Sequence, residues 1–408
     1  MRELEIYDWN KEGSEKLENS KFRILDTTLR DGVQTPGIKQ PSLKDKLRII
    51  DYDAQMGIEA IDVCLPSDPK TPFFQEGIQC ARYINQKYPQ IEIVVLARTI
   101  QSDVNATLTF GEEAGVKPSV ILFRGSSDLR LLAEDWNEEE IIEQMRKFAA
   151  QLTERGHKVI CATEDTTRSR PDFLKRVFTA GIEGGASELC IADTVGYADP
   201  TGIENQINWL KREFAGNTHL KMQFHGHDDT GNAVANSIKA IEAGVETIHV
   251  TWSGVGERTG NTSLEGILSN LERRNIHKYD LSCVVEGARF VANSLGVPIP
   301  RNHHLVGEKV YSVESGIHVA GINKALRAGL EGLSGIVYSA VDPRRVGRDH
   351  EVSIGPLGGD HSVAWVLREM GIDFTRERSL ALLTFARTKN SALTEQEIID
   401  IIKKLGKE

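Results

Sequence analysis

The stretch Phe22-Arg23-Ile24-Leu25-Asp26-Thr27-Thr28-Leu29-Arg30-Asp31-Gly32 decides how the chain is organised. Its first half is a short apolar run of strand composition, and its second half is a polar turn. A doubly wound sheet that binds dinucleotides puts a G-x-G-x-x-G turn after its first strand, so that the backbone can approach a pyrophosphate. No such spacing is present here. Apolar, β-branched runs of the same kind recur at 58–64, 91–97, 120–123, 158–162, 188–192, 220–224 and 246–250, with starts 26 to 38 residues apart. Helix-like segments fill the intervals at 42–56, 71–87, 102–115, 138–155, 171–181, 202–214, 231–243 and 263–273. Short strands alternating with helices imply βα units and a parallel sheet. Eight units in roughly 250 residues match a closed barrel. The predicted class is α/β: a (β/α)8 TIM barrel with a C-terminal, mainly helical extension.

Local signals support these helices. Ser42 with Asp45 three residues on, and Thr394-Glu395-Gln396-Glu397, read as capping boxes. Gly115 and Gly244 follow helical runs, where a left-handed stop costs glycine little. Past residue 275 the alternation stops. Helical stretches continue around an irregular segment, 334–356. The expected organisation is an N-terminal segment at 1–21, a catalytic barrel at 22–275 and a helical extension at 276–408 made of linker and accessory subdomains.

Composition narrows the function. With 49 basic and 59 acidic residues the formal net charge is −10, which argues against a nucleic-acid binder, since that needs a basic face to displace counterions. No apolar stretch approaches the ~20 residues of a membrane span, and residues 1–20 lack the apolar core of a secretory signal. Five scattered cysteines without a CxxC pair read as reduced thiols. A cytoplasmic protein is expected.

In such a barrel the reactive groups lie at the C-terminal ends of strands. Those ends carry Arg30-Asp31, Thr163-Glu164-Asp165, Asp193-Thr194, His225-Gly226-His227-Asp228-Asp229, and the loop Gly254-Val255-Gly256-Glu257-Arg258-Thr259-Gly260-Asn261. Residues i and i+2 of a strand point to one side, so His225 and His227 can share an ion. Imidazoles are common ligands for divalent metals, and Asp31 from the first strand would complete a set with open positions. The plainer alternatives are two polar histidines at a strand end, and Asp31 paired with Arg30 or capping a helix. Metal-dependent hydrolases also carry an HxH, usually on the first strand and followed by further histidines; here it is on the seventh. The glycine-rich loop reads either as a tight barrel-closing turn or as backbone close to a ligand.

Together these strings resemble the 2-isopropylmalate synthase and homocitrate synthase family, whose members are metal-dependent barrels joining acetyl-CoA to a 2-oxo acid. The resemblance runs from about residue 22 to about 360. It is carried by Leu25-Asp26-Thr27-Thr28-Leu29-Arg30-Asp31-Gly32-Val33-Gln34-Thr35-Pro36-Gly37, the string from His225 to Ser237, the loop from Gly254 to Glu265, and Ser315-Gly316-Ile317-His318. It implies a divalent metal (Zn, Mn or Mg) on Asp31, His225 and His227, with Asn261 as a fourth position. It also implies Arg30 at the developing oxyanion, Thr194 on the substrate carboxylate, Gln34 on the substrate side, and Glu164 and His318 in deprotonating the acetyl methyl. The family typically delivers the His318 region from the partner subunit, so a homodimer with shared sites is implied.

Departures are visible. The family commonly has Glu where this chain has Val33, which lowers the charge near the metal by one. His350 stands near the position of an aromatic hydroxyl in some relatives. The C-terminal leucine-binding module of many isopropylmalate synthases is not expected, nor feedback through it. The cysteine-bearing glycine loop of the hydroxymethylglutaryl-CoA lyases is missing, which argues against a lyase. For the oxo acid, Leu65, Pro66 and Ser67 offer an apolar pocket, whereas Arg98, Arg168 and Arg170 offer a grip on a dicarboxylate. The expected order is 2-oxoisovalerate, then pyruvate, then 2-oxoglutarate or oxaloacetate; the matching alternatives are citramalate, homocitrate or Re-type citrate synthesis. A catalytically silent, metabolite-binding barrel is the alternative of another class.

Overall fold

The computed structural model describes residues 7, 9, 10 and 16–405; residues 1–6, 8 and 11–15 of the N-terminal segment, and residues 406–408, lie outside the described residues. Eight strands, β1 (Arg23–Asp26), β2 (Ala60–Cys64), β3 (Glu92–Arg98), β4 (Ser119–Gly125), β5 (Val159–Glu164), β6 (Glu188–Asp193), β7 (Lys221–Gly226) and β8 (Thr247–Val250), form a closed barrel in sequence order. Every pairing is parallel, and β8 closes on β1 with Arg23 opposite Thr247 and Asp26 opposite Val250. The predicted barrel is borne out. Several strands run past their apolar stretch into polar residues, as β5 does to Glu164 and β7 to Gly226. The residues that end these strands are the ones that carry chemistry, so apolar content alone underestimates their length.

Among the described residues nine helices follow the strands in turn: α1 (Leu43–Met56), α2 (Pro72–Lys87), α3 (Gln101–Ala114), α4 (Asp128–Glu134), α5 (Glu138–Glu154), α6 (Pro171–Glu183), α7 (Pro200–Glu213), α8 (Ala233–Glu242) and α9 (Leu264–Arg273). Ser42 caps α1 in a reciprocal box with Asp45, and Gly57 and Gly115 close α1 and α3 in the left-handed conformation. The short α4 was not anticipated. It buries none of its residues, so it has no apolar face to announce it. A further helix, α10 (Val284–Leu295), packs Gly287 against Trp252, where an added Cβ would stand 2.6 Å from the ring.

Leu25, Ala60, Val94, Ile121, Ile160, Ala162 and Cys190 fill the barrel interior. At its N-terminal end the strand starts carry interleaved charges: Lys158 lies 2.9 Å from Glu92 and 2.5 Å from the buried Glu188, and Arg23 pairs with Glu92. The five cysteines are all buried and free.

The chain divides into two compact units, Met1–Pro298 and Ile299–Glu408. The second holds a two-stranded parallel pair, β9 (Ser312–Val313) with β10 (Glu351–Val352), and helices α11 (Gly316–Arg327), α12 (Glu331–Ser334), α13 (Asp360–Glu369), α14 (Arg376–Lys389) and α15 (Glu395–Leu405). Its core gathers Val363, Leu367, Leu382, Leu383 and Ile398. Thr394 and Glu397 form the expected box at the start of α15.

Candidate functional site

The first strand and the turn after it are held as one piece. Thr27 N–H bonds to Val250 O at 2.8 Å, tying the turn to β8, and the N–H groups of Arg30, Asp31 and Gly32 all return to Thr27 O. This tight turn places Arg30 and Asp31 at the barrel mouth. From β7, His225 Nε2 lies 3.2 Å from Asp31 Oδ2 and 3.2 Å from His227 Nε2. One ligand atom from each of Asp31, His225 and His227 lies within 4.8 Å of the others. The expected set therefore converges from strands almost 200 residues apart in sequence.

Charge is tightly managed around it. Arg30 bonds Asp62 through Nε at 2.7 Å and pairs with Asp31 through Nη1 at 3.0 Å. Burial opposes ionisation of Asp31, but Arg30 and the two histidines outweigh it and hold the carboxyl well below the usual carboxylate range. Burial, then the neighbouring His225, pushes His227 down to about 4, so its ring is neutral with a lone pair available at ordinary pH. Burial pushes Asp62 up to about 6 against the pull of Arg30.

The donor chemistry fits a divalent cation. A carboxylate and two imidazoles suit Zn or Mn, and a carboxylate site also suits Mg. Asn261 gives a second sign of fit. Its Nδ2 donates to Val255 O at 3.0 Å, while its buried Oδ1 has no partner among the described residues. Asn261 is bridged to His227 by backbone pairing, and a Cβ at Gly256 would stand 2.1 Å from its Nδ2. Only glycine leaves room for that amide.

Arg30, Asp31, Gln34, Glu164, Thr194, His225 and His227 line one cavity of about 310 Å³. Thr194 Oγ1 accepts from Asp165 N–H at 2.8 Å, which leaves its own hydrogen to donate. Glu164 lies 2.8 Å from Arg130. The apolar part of the cavity wall is formed by Leu65, Leu96, Ile121, Phe123 and Ala162. His318 belongs to the second unit, on α11, where it is exposed and its ring stacks on Tyr338 at 4.1 Å. His350 bonds Gly335 O through Nε2 at 3.2 Å. Val33 lines a smaller recess with Leu29, Val63 and Phe73.

The arginines considered for a dicarboxylate do not line the cavity. Arg98 is bidentate to Asp103, Arg168 is bidentate to Asp165, and Arg170 pairs with Asp128, Glu138 and Asp172. Pro66 is not in the lining either, and Ser67 lines only the neighbouring recess.

Sequence reasoning missed Asp62 and His249. Asp62 is the lone acid inside the apolar β2, and that oddity was the available signal. His249 lines the cavity with its ring 5.4 Å from that of His225, and its Nε2 meets Gln223 Oε1 at 2.8 Å. Gln223 in turn donates to Glu188 at 2.5 Å. Glu188 can only accept, so the amide oxygen faces His249 and the proton of that ring sits on Nε2.

Comparison with known proteins gives a consistent picture. The family model described as HMGL-like matches residues 21–291. A probable 2-isopropylmalate synthase of Methanopyrus kandleri is 32% identical over 361 residues, covering 88% of this chain and 68% of that protein. The 2-isopropylmalate synthase of Sulfurisphaera tokodaii is 30% identical over 397 residues, covering 96% of each. Among solved structures, the HMG-CoA lyase of Bacillus subtilis superposes with a TM-score of 0.58 at 22% identity, covering 69% of this chain and 96% of that one. That likeness speaks for the barrel alone.

Proposed function

The chain belongs to the HMGL-like family as an acyltransferase enzyme akin to the 2-isopropylmalate synthases, and from that premise we propose that it condenses acetyl-CoA with 2-oxoisovalerate to give 2-isopropylmalate, a step of leucine biosynthesis. The observation that carries this reading is the meeting of Asp31, His225 and His227 at a cavity whose wall is apolar in part and whose arginines are already paired. Arg30 pairs with Asp31 and Asp62, and Arg258 is bidentate to Asp229. A second substrate carboxylate would need a cation of its own in a buried place. A branched aliphatic side chain needs only the wall of Leu65, Leu96, Ile121, Phe123 and Ala162.

A divalent cation (Zn, Mn or Mg) held by Asp31, His225 and His227, with Asn261 as fourth group, would supply Lewis acidity toward the substrate ketone. The residues do the rest. Thr194 donates its hydroxyl hydrogen to the substrate carboxylate, and Gln34 borders the same ligand. Glu164 takes a proton from the acetyl methyl, with His318 of a second subunit sharing that transfer in a cytoplasmic homodimer. This proton is weakly acidic, so the carbanion must form beside its acceptor. The carbanion attacks the keto carbon, and Arg30, immobilised by two carboxylates, stabilises the charge gathering on the ketone oxygen. Water then cleaves the thioester and releases CoA. No helix among the described residues is long and apolar enough to cross a membrane.

Free-thiol release from acetyl-CoA, measured with 2-oxoisovalerate, pyruvate, 2-oxoglutarate and oxaloacetate in turn, tests the reading. The expected result is fastest release with 2-oxoisovalerate. Preference for another acid moves the assignment to citramalate, homocitrate or citrate synthesis, and release with none of them favours a metabolite-binding barrel.

A further inference from the structure

Resting on the reading of Glu164 as the group that takes the acetyl proton, we propose that Arg130 is a positioning residue which, steadied by Trp136, keeps the Glu164 carboxylate ionised and turned to the cavity.

The arrangement begins with a missing side chain. In the β4–β5 register Gly125 stands opposite Glu164. A Cβ at Gly125 would lie 2.9 Å from Trp136 Cζ3 and 3.2 Å from Arg130 Cβ. The indole and the arginine stem therefore occupy the space that a side chain would have filled beside Glu164. Ser127 starts α4 by accepting the Arg130 N–H at 3.3 Å, which sets where on the helix Arg130 falls. Its Nε then lies 2.8 Å from Glu164 Oε1, and its Nη1 lies 3.0 Å from Glu134 one turn on.

Trp136 sits between two guanidinium groups. Arg130 lies 5.3 Å from the ring centroid and Arg124 lies 3.6 Å from it. Both are within reach of the ring quadrupole. Arg124 makes no close ion pair among the described residues, and it acts on Glu164 and Glu134 at longer range.

The groups facing Glu164 pull in opposite directions. Burial, Asp165 and Glu134 favour its neutral form, whereas Arg130 and Arg124 favour the carboxylate. A base must be ionised to take a proton, yet it loses strength if held too firmly. Among the described residues Arg130 is the ion-pair partner of Glu164, and it shares its charge with Glu134. Its stem packs over Gly125, but that contact needs no charge, and α4 buries none of its residues.

The test follows the Glu164 carboxyl by NMR in protein with 13C-labelled glutamate, using Glu164→Gln to assign the resonance. In Arg130→Met the titration midpoint should rise by about one unit, the low end of the effect of an adjacent opposite charge. Arg130→Lys should recover most of the difference, and it also serves should the Met variant not fold. In the metal-loaded enzyme, the acid limb of kcat should move up with the midpoint in Arg130→Met, while KM for the oxo acid holds. An unmoved midpoint in Arg130→Met overturns the proposal by itself, with Glu164 still free to be the base. Full turnover with an intact acid limb in Glu164→Gln overturns the proposal together with the reading it rests on.

Discussion

Asp53→Asn should make the fold less sensitive to pH, and the structure says by how much. Asp26 at the end of β1 and Asp53 on α1 are both fully buried, and Oδ2 of each carboxyl has no hydrogen-bond partner among the described residues. Asp26 Oδ1 accepts from Thr28 Oγ1 at 2.6 Å, Thr28 Oγ1 accepts from Trp252 N–H at 2.9 Å, and Trp252 Nε1 donates to Asp53 Oδ1 at 2.8 Å. This chain of hydrogen bonds joins β1, α1 and the end of β8. Burial raises both carboxyls, and the mutual repulsion of two anions raises Asp53 further. The folded protein therefore keeps at least one proton that the unfolded chain releases near pH 4. A folded pKa above the unfolded one contributes stability that is fully present below the unfolded value and is lost as pH rises toward the folded value. Each retained proton costs about 1.4 kcal/mol of stability per pH unit in that window. An asparagine at 53 can still accept from Trp252 and has no carboxyl proton to retain. Between pH 5 and pH 7 the stability of Asp53→Asn relative to wild type should thus improve by about 3 kcal/mol. Urea unfolding at both pH values, followed by tryptophan fluorescence, measures this, and the difference between the two proteins cancels other titrating groups. An equal wild-type-to-variant difference at pH 5 and pH 7 would refute the reasoning.

Three further outcomes are expected. His225→Ala should lose bound metal and turnover together, checked by elemental analysis of the purified protein; wild-type-like turnover by a metal-free variant would remove His225 from the ligand set. His318→Ala should retain metal but lose rate, and mixing it with His225→Ala after subunit exchange should restore up to about one quarter of wild-type activity, since a C2 dimer with shared sites regains one intact site in half of its molecules. No recovery after demonstrated exchange would argue for sites built within one chain. Glu188→Ala should lower stability by about 2 kcal/mol in a denaturant titration, because it leaves the buried Gln223 amide without its acceptor while Lys158 keeps Glu92; a loss below 1 kcal/mol would show that water replaces the carboxylate there.

Much of the barrel is legible in the residues themselves. The spacing of apolar runs, the Ser42–Asp45 box and the glycine stop at Gly115 are local properties, and local sterics and caps act the same way wherever the segment is placed. The strand ends needed more. Glu164 and His225 belong to strands although they are polar, because neighbouring strands supply their hydrogen bonds. Helix α4 escaped notice for the opposite reason, having no buried face.

At the cavity the division is sharper. Asp31, His225 and His227 stand out by residue type and by their position at strand ends, so the sequence alone named them as a group with a shared task. Whether an arginine is free to meet a substrate depends on how its loop folds, which residue type does not reveal. Arg98, Arg168 and Arg170 look available in the sequence and are each taken by an acid close by in the same loop or helix start, while Asp62 and His249 reach the polar cluster from strands that read as apolar. The pairings of Arg30 with Asp62 and of His225 with Asp31 join residues far apart in the chain, and the curvature and register of the closed sheet set those distances.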